Sequence, residues 1–449
     1  MSALPSAAGF TSRELLEKAQ VHYDALRPYF TGDLPFQYWP CGCVLNSMID
    51  FLWLATQAGV VPAADARTFL NAAANDYLQN QRQGDWYDDW CWWGIATAKA
   101  FAPRYRALFD VDLTLIQNFS LICTQTYRFM QSGTPPYSPI NDGADFTGTR
   151  NAYDHVVEMA KTNPAWEQLR KDVEPMWNVG CWQGPMTPSG EFDPRSNTLG
   201  SFQDSVMNGL AYVFVQRTLG QTGSDGLPLG TAADVDAMAT FYRNWMGPEV
   251  DAGDRIYNAV ADDRGLFRER IGRYRNGTPL PAYHPDLAWG GDQGLMLSAL
   301  AQRYHGQTGT EQAETLSLIH CVVRGVMTTG LGAVADRQRV ILPWCSVGAA
   351  PADQPGSAPG YGKTAGGDNG DYFSGTGIFM RGLLEALDLP EVRDIVSSNA
   401  DVLSSTIAAM EDGEAYARQC GVSTKISTEA MIFDHFNQMA SYLVASRIA

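Results

Sequence analysis

Apolar residues recur three and four positions apart along almost the whole chain, and this spacing constrains the fold most strongly. Two early examples are TSRELLEKAQVHYDAL (11–26) and CVLNSMIDFLWLATQAG (43–59). Strand-like alternation is scarce, and the best short apolar run is RVILPWCSV (339–347). The pattern predicts an all-α protein with a few short strands in its loops. The other predicted helices span 65–80, 89–101, 112–131, 150–161, 201–219, 232–246, 292–304, 311–329, 373–387, 391–411 and 427–447.

Four long irregular segments, rich in Gly, Pro, Asp and aromatic residues, lie between pairs of these helices: 131–150, 174–200, 247–291 and 343–372. Long loops in a compact domain usually carry function. Helical hairpins separated by such loops favour a closed (α/α)6 toroid with its loops at one mouth. We expect a single domain over residues 1–449, since no low-complexity linker divides the chain. An open helical solenoid is the alternative, but it would show a clearer fixed repeat.

Two helix ends carry recognisable signals. Thr11 stands three residues before Glu14, the spacing of a capping box. Ser201 is placed to cap the helix that stops at Gly220.

The charge balance narrows the class of partner. The chain has 32 Lys and Arg against 49 Asp and Glu, a formal charge of −17, so a phosphate polymer would be repelled. We therefore expect no nucleic-acid partner, whereas a neutral oligo- or polysaccharide would be indifferent to this field. No run approaches the roughly 18 apolar residues of a membrane helix. As written, the sequence predicts a cytoplasmic protein, or a secreted or periplasmic one if a signal peptide has been trimmed; it leaves the oligomeric state open.

Metal and cofactor motifs are missing from the sequence. The eight cysteines form no CxxC pair, which favours buried reduced thiols, and the six histidines show no HxxH or HExxH spacing. The segment GGDNGDYFSGTG (366–377) does not follow the spacing of an EF-hand. We expect neither a metal nor a cofactor.

The most informative short stretch is GDWYDDWCWWGIA (84–96), in which Asp88 and Asp89 stand among four tryptophans. If a helix begins near Asp88, the two carboxyls point about 100° apart and can share one cavity. Two carboxyls in a poorly hydrated pocket favour one ionised and one protonated group. A glycosidase needs that combination, with retention at a carboxyl separation of about 5 to 5.5 Å and inversion at about 6.5 to 9.5 Å. The alternative is an ordinary capping and core role.

Five blocks of the sequence resemble glycoside hydrolase family 76, the endo-α-1,6-mannanases and related transglycosylases. YDDWCWWGIATAKAF (87–101) looks like the family signature of a Tyr, two Asp and a paired Trp opening a helix. The other blocks follow in family order: WNVGCWQG (177–184), DSVMNGLAYVFVQRTLG (204–220), WGGDQGLMLSAL (289–300) and FSGTGIFMRGLLEAL (373–387).

The resemblance implies an (α/α)6 barrel and a retaining double displacement without a metal, acting on an α-1,6-mannan or a related neutral glycan by hydrolysis or transglycosylation. In that scheme Asp88 is the nucleophile and Asp89 the acid/base. Asp204 and Asn208, four apart on one helix, are expected to bind hydroxyls, and the aromatic residues are expected to stack on sugar rings. The expected substrate-binding residues are Tyr87, Trp92, Trp93, Trp182, Asp204, Asn208, Trp289, Gln293, Asp371 and Phe379.

Two other functions remain open at this stage. Helical toroids also host polysaccharide lyases and sugar epimerases, in which His284 or Tyr372 would be the base. The second alternative is a noncatalytic glycan-binding or scaffold protein, against which the aspartate pair argues, because binding alone gains nothing from a perturbed acid.

Overall fold

The computed structural model describes residues 10–34, 38–80, 87–132, 161–162, 164, 180–181, 205–246, 257–260, 264–267, 289–328, 374–411 and 428–449. The helices of its first part are α1 Ser12–Leu26, α2 Tyr38–Gln57, α3 Ala63–Asn80, α4 Tyr87–Thr97, α5 Arg106–Phe109 and α6 Leu113–Ser132. Those of the second part are α7 Ser205–Thr218, α8 Ala232–Met246, α9 Gly290–His305, α10 Gly309–Thr328, α11 Gly375–Ala386, α12 Pro390–Ser398, α13 Ala400–Glu411 and α14 Thr428–Ile448.

The predicted all-α class is confirmed. In the described part of the chain the only sheet is an antiparallel pair, β1 Tyr257–Val260 and β2 Arg264–Phe267, within the predicted loop 247–291. The predicted helix 150–161 lies almost wholly outside the described residues, and so does the apolar run 339–347. The predicted helix 391–411 is wrong in one respect, since Asn399 leaves the helical conformation at φ −120° and ψ 29° and divides it into α12 and α13.

Six of the described helices form a closed ring. Around it α2 packs on α4, α4 on α7, α7 on α9, α9 on α11, α11 on α14, and α14 returns to α2. The remaining long helices cover the outside, with α1 against α14 and α2, α6 against α4, α8 against α7 and α10 against α9. This alternation of inner and outer helices is the predicted toroid.

The inner helices are buried on several sides, which suits their place in the ring. All twelve residues of α11 are buried, whereas α1 buries one stripe of five residues. A helix that is apolar around its whole circumference is stable only when neighbours cover it. The capping box predicted at Thr11 is confirmed, since Thr11 and Glu14 exchange side-chain to backbone hydrogen bonds.

The inner helices run in the same direction. Near the N-terminal ends of α9 and α11, Gly290 lies against the backbone of Gly375, and the N–H of Gly377 donates at 2.8 Å to Asn437 Oδ1 in the middle of α14. Near their C-terminal ends Gln302 Nε2 donates to Glu385 Oε2 at 3.0 Å. The N-terminal turns therefore share one side of the ring, called here the front mouth, and the predicted loops 174–200, 247–291 and 343–372 lead into these turns. The opposite side is called the back face.

Two glycines bring α9 and α11 into backbone contact. A Cβ on Gly382 would lie 2.1 Å from the carbonyl oxygen of Gly294, and one on Gly294 would lie 2.2 Å from that of Ile378. Neither carbonyl can move without disturbing a helix, so the approach requires glycine at both positions.

Polar contacts also hold the outer helix α1 against the inner helix α14. Ser12 Oγ donates to the carbonyl of Ser446 at 2.7 Å, and the Nδ1 atoms of His22 and His435 lie 3.0 Å apart. At that distance one imidazole donates and the other accepts, so the pair tolerates at most one added proton.

The glycine contact predicts that Gly382→Ala destabilises the protein by about 1 to 3 kcal/mol, because the new methyl group overpacks the α9–α11 interface. Gly306→Ala is the matched control, because the nearest atom to its Cβ would be 3.6 Å away. Urea unfolding measures both, and equal stabilities for the two variants would contradict the close approach.

The histidine pair predicts a pH dependence. Burial, followed by the charge of His435, lowers the pKa of His22 to about 4, and burial lowers that of His435. The unfolded chain takes up the proton near pH 6.5 and the folded chain does not, so stability falls as pH drops from about 6.5 towards 4. Glu411 opposes this shift, whereas Lys18 reinforces it.

When the pH falls from 7 to 4.5, the free energy of unfolding should therefore decrease by about 2 kcal/mol less in His22→Gln than in the parent. Urea unfolding at several pH values measures this difference. The exposed His305→Gln variant should behave as the parent. A parent-like slope in His22→Gln would show that the pair does not control the acid sensitivity.

Candidate active site

Asp88 and Asp89 occupy the first turn of the inner helix α4, at the front mouth. Asp88 is half-buried and Asp89 is 9 % exposed. The Asp88 Oδ1 atom accepts a hydrogen bond from the main-chain N–H of Asp89 at 3.0 Å. The partial positive charge of a helix N-terminus stabilises carboxylates in this position. The structure thus places two adjacent carboxyls at the opening of the ring.

The aromatic residues around the pair point in different directions, because each step along a helix turns the side chain by about 100°. Tyr87 and Trp90 pack against Phe129 of α6, with ring centroids 4.7 and 4.4 Å apart. These two rings fix the start of α4 to the outer layer.

Trp92 faces its neighbours across the ring. Its indole lies 5.9 Å from that of Trp39 on α2, and the guanidinium of Arg381 on α11 lies 5.6 Å from its ring centroid. Trp39 also contacts Phe433 of α14 at 5.4 Å and is itself only half-buried. Sequence reasoning missed Trp39 and Phe433, although both stand near the beginning of inner helices.

Trp93 was predicted to bind substrate, but its side chain lies in the core. Its side chain is 1 % exposed and packs on Tyr77 of α3 at 4.4 Å and on Phe30 at 6.4 Å. A Cβ on Gly42 would lie 2.5 Å from its ring, so α2 fits closely against this indole. Trp93 is a core residue between the inner and outer layers.

Two amide side chains that were predicted to bind substrate, those of Asn208 and Gln293, form hydrogen bonds with the backbone instead. Asn208 accepts from the N–H of Cys181 at 2.7 Å and donates to its carbonyl at 3.0 Å. Gln293 exchanges the same pair of bonds with Phe267 of β2, at 2.8 and 2.7 Å. Both side chains are fully buried, so they position the segments beside the mouth.

The other predicted binding residues divide into two groups. Tyr87, Trp289 and Phe379 are at most 3 % exposed, so they offer no open face for a sugar in this structure. The same holds for Trp92, which is 2 % exposed. The remaining predicted residues lie outside the described part of the chain: Trp182, Asp204 and Asp371, together with the alternative bases His284 and Tyr372.

Several remaining features of the mouth bear on its chemistry. Asp292, a further carboxyl in the first turn of α9, is 2 % exposed. Burial raises the pKa of the Cys91 thiol well above its usual range, and Cys181 and Asp88 add to the effect.

Within the described residues, no group of three or more His, Cys, Asp or Glu is arranged to hold a metal ion. None of the helices in this part of the chain has the length and apolar character of a membrane span.

Below the mouth, charged side chains fill the middle of the ring. Five of them from four segments form what is called here the axial cluster: Asp50, Lys99, Arg217, Arg381 and Glu385. Lys99 Nζ lies 2.6 Å from Asp50 Oδ2, and Arg217 pairs with Glu385. Burial lowers the pKa of Lys99 to about 7, although Asp50 opposes the shift. Burial alone would raise the pKa of Glu385, but Arg217 and Lys99 bring it below its usual value.

A cavity of about 380 Å³ opens at the back face, on the other side of the axial cluster. Its walls include Arg217 and Glu385 of the cluster, together with Arg104, Tyr105 and Gln302. The axial cluster therefore separates this cavity from the carboxyl pair at the front mouth.

Comparison with solved structures identifies the fold. An α-1,6-mannanase of glycoside hydrolase family 76 from Salegentibacter sp. HEL1_6 is 14% identical, with 97% of this chain and 98% of that one covered and a TM-score of 0.51. Its inactive variant, in which two consecutive aspartates are replaced by alanine, is bound to α-1,6-mannotetrose; it is 13% identical over 97% and 100% of the chains, with a TM-score of 0.54.

The Lin0763 protein of Listeria innocua is also similar, at 13% identity over 97% of each chain and a TM-score of 0.50. No protein-family model matches the sequence, and no curated protein matches it significantly. The chain therefore shares the all-α toroid of the family 76 mannanases, at a low level of sequence identity.

The Lys99–Asp50 pair yields a stability prediction. Lys99→Met leaves the Asp50 carboxylate buried, with the Tyr105 hydroxyl as its hydrogen-bond donor among the described residues, which should cost about 3 to 5 kcal/mol. The double variant with Asp50→Asn should be more stable than Lys99→Met alone, because no charge is then left unpaired. Urea unfolding tests this, with Lys18→Met at the exposed Lys18–Glu411 pair as a control expected to cost under about 1 kcal/mol. A cost equally small for Lys99→Met would contradict the buried pair.

Proposed function

We propose that this protein is a retaining glycoside hydrolase or transglycosylase that acts on α-1,6-linked mannosides. The observation that carries the proposal is the pair Asp88 and Asp89, adjacent in sequence and placed on the first turn of an inner helix of the toroid. A solved mannanase with the same fold is inactive when two consecutive aspartates are replaced, and it holds a mannose oligomer in that state.

The local contacts support different roles for the two carboxyls. Asp88 is the more exposed and accepts a main-chain N–H, which favours its ionised form. Asp89 is more deeply buried, and burial favours an uncharged carboxyl. Asp88 is therefore the nucleophile that attacks the anomeric carbon. Asp89 protonates the leaving oxygen and then removes a proton from the incoming water or sugar hydroxyl.

The surroundings suit a neutral sugar. The half-buried Trp39 beside Trp92 provides an aromatic surface of the kind that stacks on sugar rings, next to the turn that carries the carboxyls. The formal charge of −17 disfavours an anionic polymer and leaves a neutral mannan unaffected. The substrate is thus a neutral oligo- or polysaccharide.

The proposal predicts that Asp88→Asn and Asp89→Asn each lower kcat/KM on α-1,6-mannan at least about a thousand-fold. Each variant removes one of the two charges or protons that the displacement requires. Release of reducing ends measures the rate, and far-UV circular dichroism with thermal unfolding verifies the fold. Asp401→Asn, a change at an exposed aspartate of α13, is the control with parent activity.

Parent-like turnover in the Asp88 variant would contradict the nucleophile assignment. Calorimetry that detects binding of mannose oligomers to the parent without any product would instead identify a glycan-binding protein. An unsaturated product would identify a lyase.

A further inference from the structure

The axial cluster contains more positive than negative charge. Below pH 7, where Lys99 is protonated, its cations are Lys99, Arg217 and Arg381, and its anions are Asp50 and Glu385. None of the five is more than 9 % exposed, and Lys99 and Asp50 are 0 % and 1 % exposed. Water therefore does little to screen the extra charge, and a buried charge without a counter-charge is strongly unfavourable.

Within the described residues, these ion pairs leave Arg381 as the cation of the cluster without an ion-pair partner. Lys99 is paired with Asp50, and Arg217 with Glu385. Arg381 donates through Nη1 to the carbonyl of Cys43 at 3.0 Å. The Cys43 thiol carries no negative charge at neutral pH, because burial raises its pKa to about 11.

Three fully buried polar groups near this guanidinium have no hydrogen-bond partner in the described part of the structure. They are Arg381 Nη2, Asn46 Nδ2 and Ser47 Oγ. Ser47 and Asn46 follow Cys43 on α2 by four and three residues, so all three residues share one turn with the carbonyl that Arg381 binds. All three atoms can donate a hydrogen bond.

The orientation of Asn46 is set from the other side. Arg217 Nη1 lies 3.4 Å from Asn46 Oδ1, so the carbonyl oxygen of the amide faces Arg217. The Nδ2 donor consequently points away from that cation. The arrangement places hydrogen-bond donors beside an excess positive charge, and a negatively charged acceptor would stabilise both.

Water would satisfy the donors but leave the charge. The face of Trp92 and the Cys43 carbonyl stabilise Arg381 through partial charges only. A single small monovalent anion accepts hydrogen bonds from the donors and also neutralises the excess charge of the cluster. A divalent anion would overshoot the balance of three cations and two carboxylates.

We propose that the axial cluster binds one monovalent halide-sized anion, chloride under ordinary salt conditions, through Arg381 Nη2 and Asn46 Nδ2, with Ser47 Oγ as a third donor. The cavity at the back face reaches Arg217 and Glu385, the neighbouring ion pair of the same cluster. This site is separate from the carboxyl pair and does not depend on the proposed glycosidase activity.

Bound halide has a direct crystallographic test. Crystals of the full chain grown in sodium bromide should show an anomalous peak about 3.2 to 3.5 Å from Arg381 Nη2 and Asn46 Nδ2. Bromide peaks confined to the protein surface, with a water or no density at these donors, would overturn the proposal.

Thermal unfolding provides a second readout that needs no substrate. After dialysis into sodium gluconate at about pH 6, where Lys99 is protonated, adding chloride at constant ionic strength should raise Tm by about 2 °C or more, with saturation. Asn46→Asp places a fixed carboxylate beside Arg381, so its Tm should no longer respond to chloride. Arg381→Met removes the excess charge and should likewise lose the response.

Lys18→Met, at an exposed cation, is the matched control and should keep the parent's chloride response. Equal Tm values for the parent in gluconate and chloride would overturn the proposal. So would an unchanged chloride response in Asn46→Asp, even if Arg381→Met failed to fold.

Discussion

Close packing of parallel inner helices is the constraint on which the rest of this structure depends. Where α9 meets α11, Gly294 and Gly382 bring the two backbones together, and Gly42 gives Trp93 room between α2 and α4. Because neighbouring inner helices share a direction, their N-terminal turns meet at one mouth and their partial positive charges converge there. A carboxyl pair on the first turn of α4 is stabilised by this arrangement before any ligand is considered.

The two ends of the ring differ in chemistry. The front mouth combines Asp88 and Asp89 with the aromatic contact between Trp39 and Trp92. Deeper in the ring the axial cluster replaces apolar packing by ion pairs and bonds to main-chain carbonyls, such as that from Lys99 to Asn46 at 2.7 Å. Arg381 connects the two levels, since it lies over Trp92 and donates to α2. The floor of the mouth is therefore rigid and charged.

Periodicity predicted the helices well, because burial of one face or of the whole circumference leaves a local pattern in the sequence. The predicted helix 232–246 coincides with α8. Residue roles were less predictable, because they depend on contacts between distant segments. Trp92 and Trp93 are adjacent in sequence, yet Trp92 packs on the inner helices and Trp93 on the outer layer. Gln293 hydrogen-bonds to Phe267 of β2, a contact that no spacing rule predicts. The axial cluster draws on residues 50 to 385, so no local motif indicates it.

The central claim is that Asp88 forms a covalent bond to a sugar. A mannosyl fluoride carrying fluorine at C2 slows hydrolysis of such an intermediate and allows it to accumulate. Mass spectrometry of the treated and digested protein should locate one fluoromannosyl group on the peptide that contains Asp88. An enzyme that cleaves α-1,6-mannan but carries no such group, or carries it on another residue, would contradict the account.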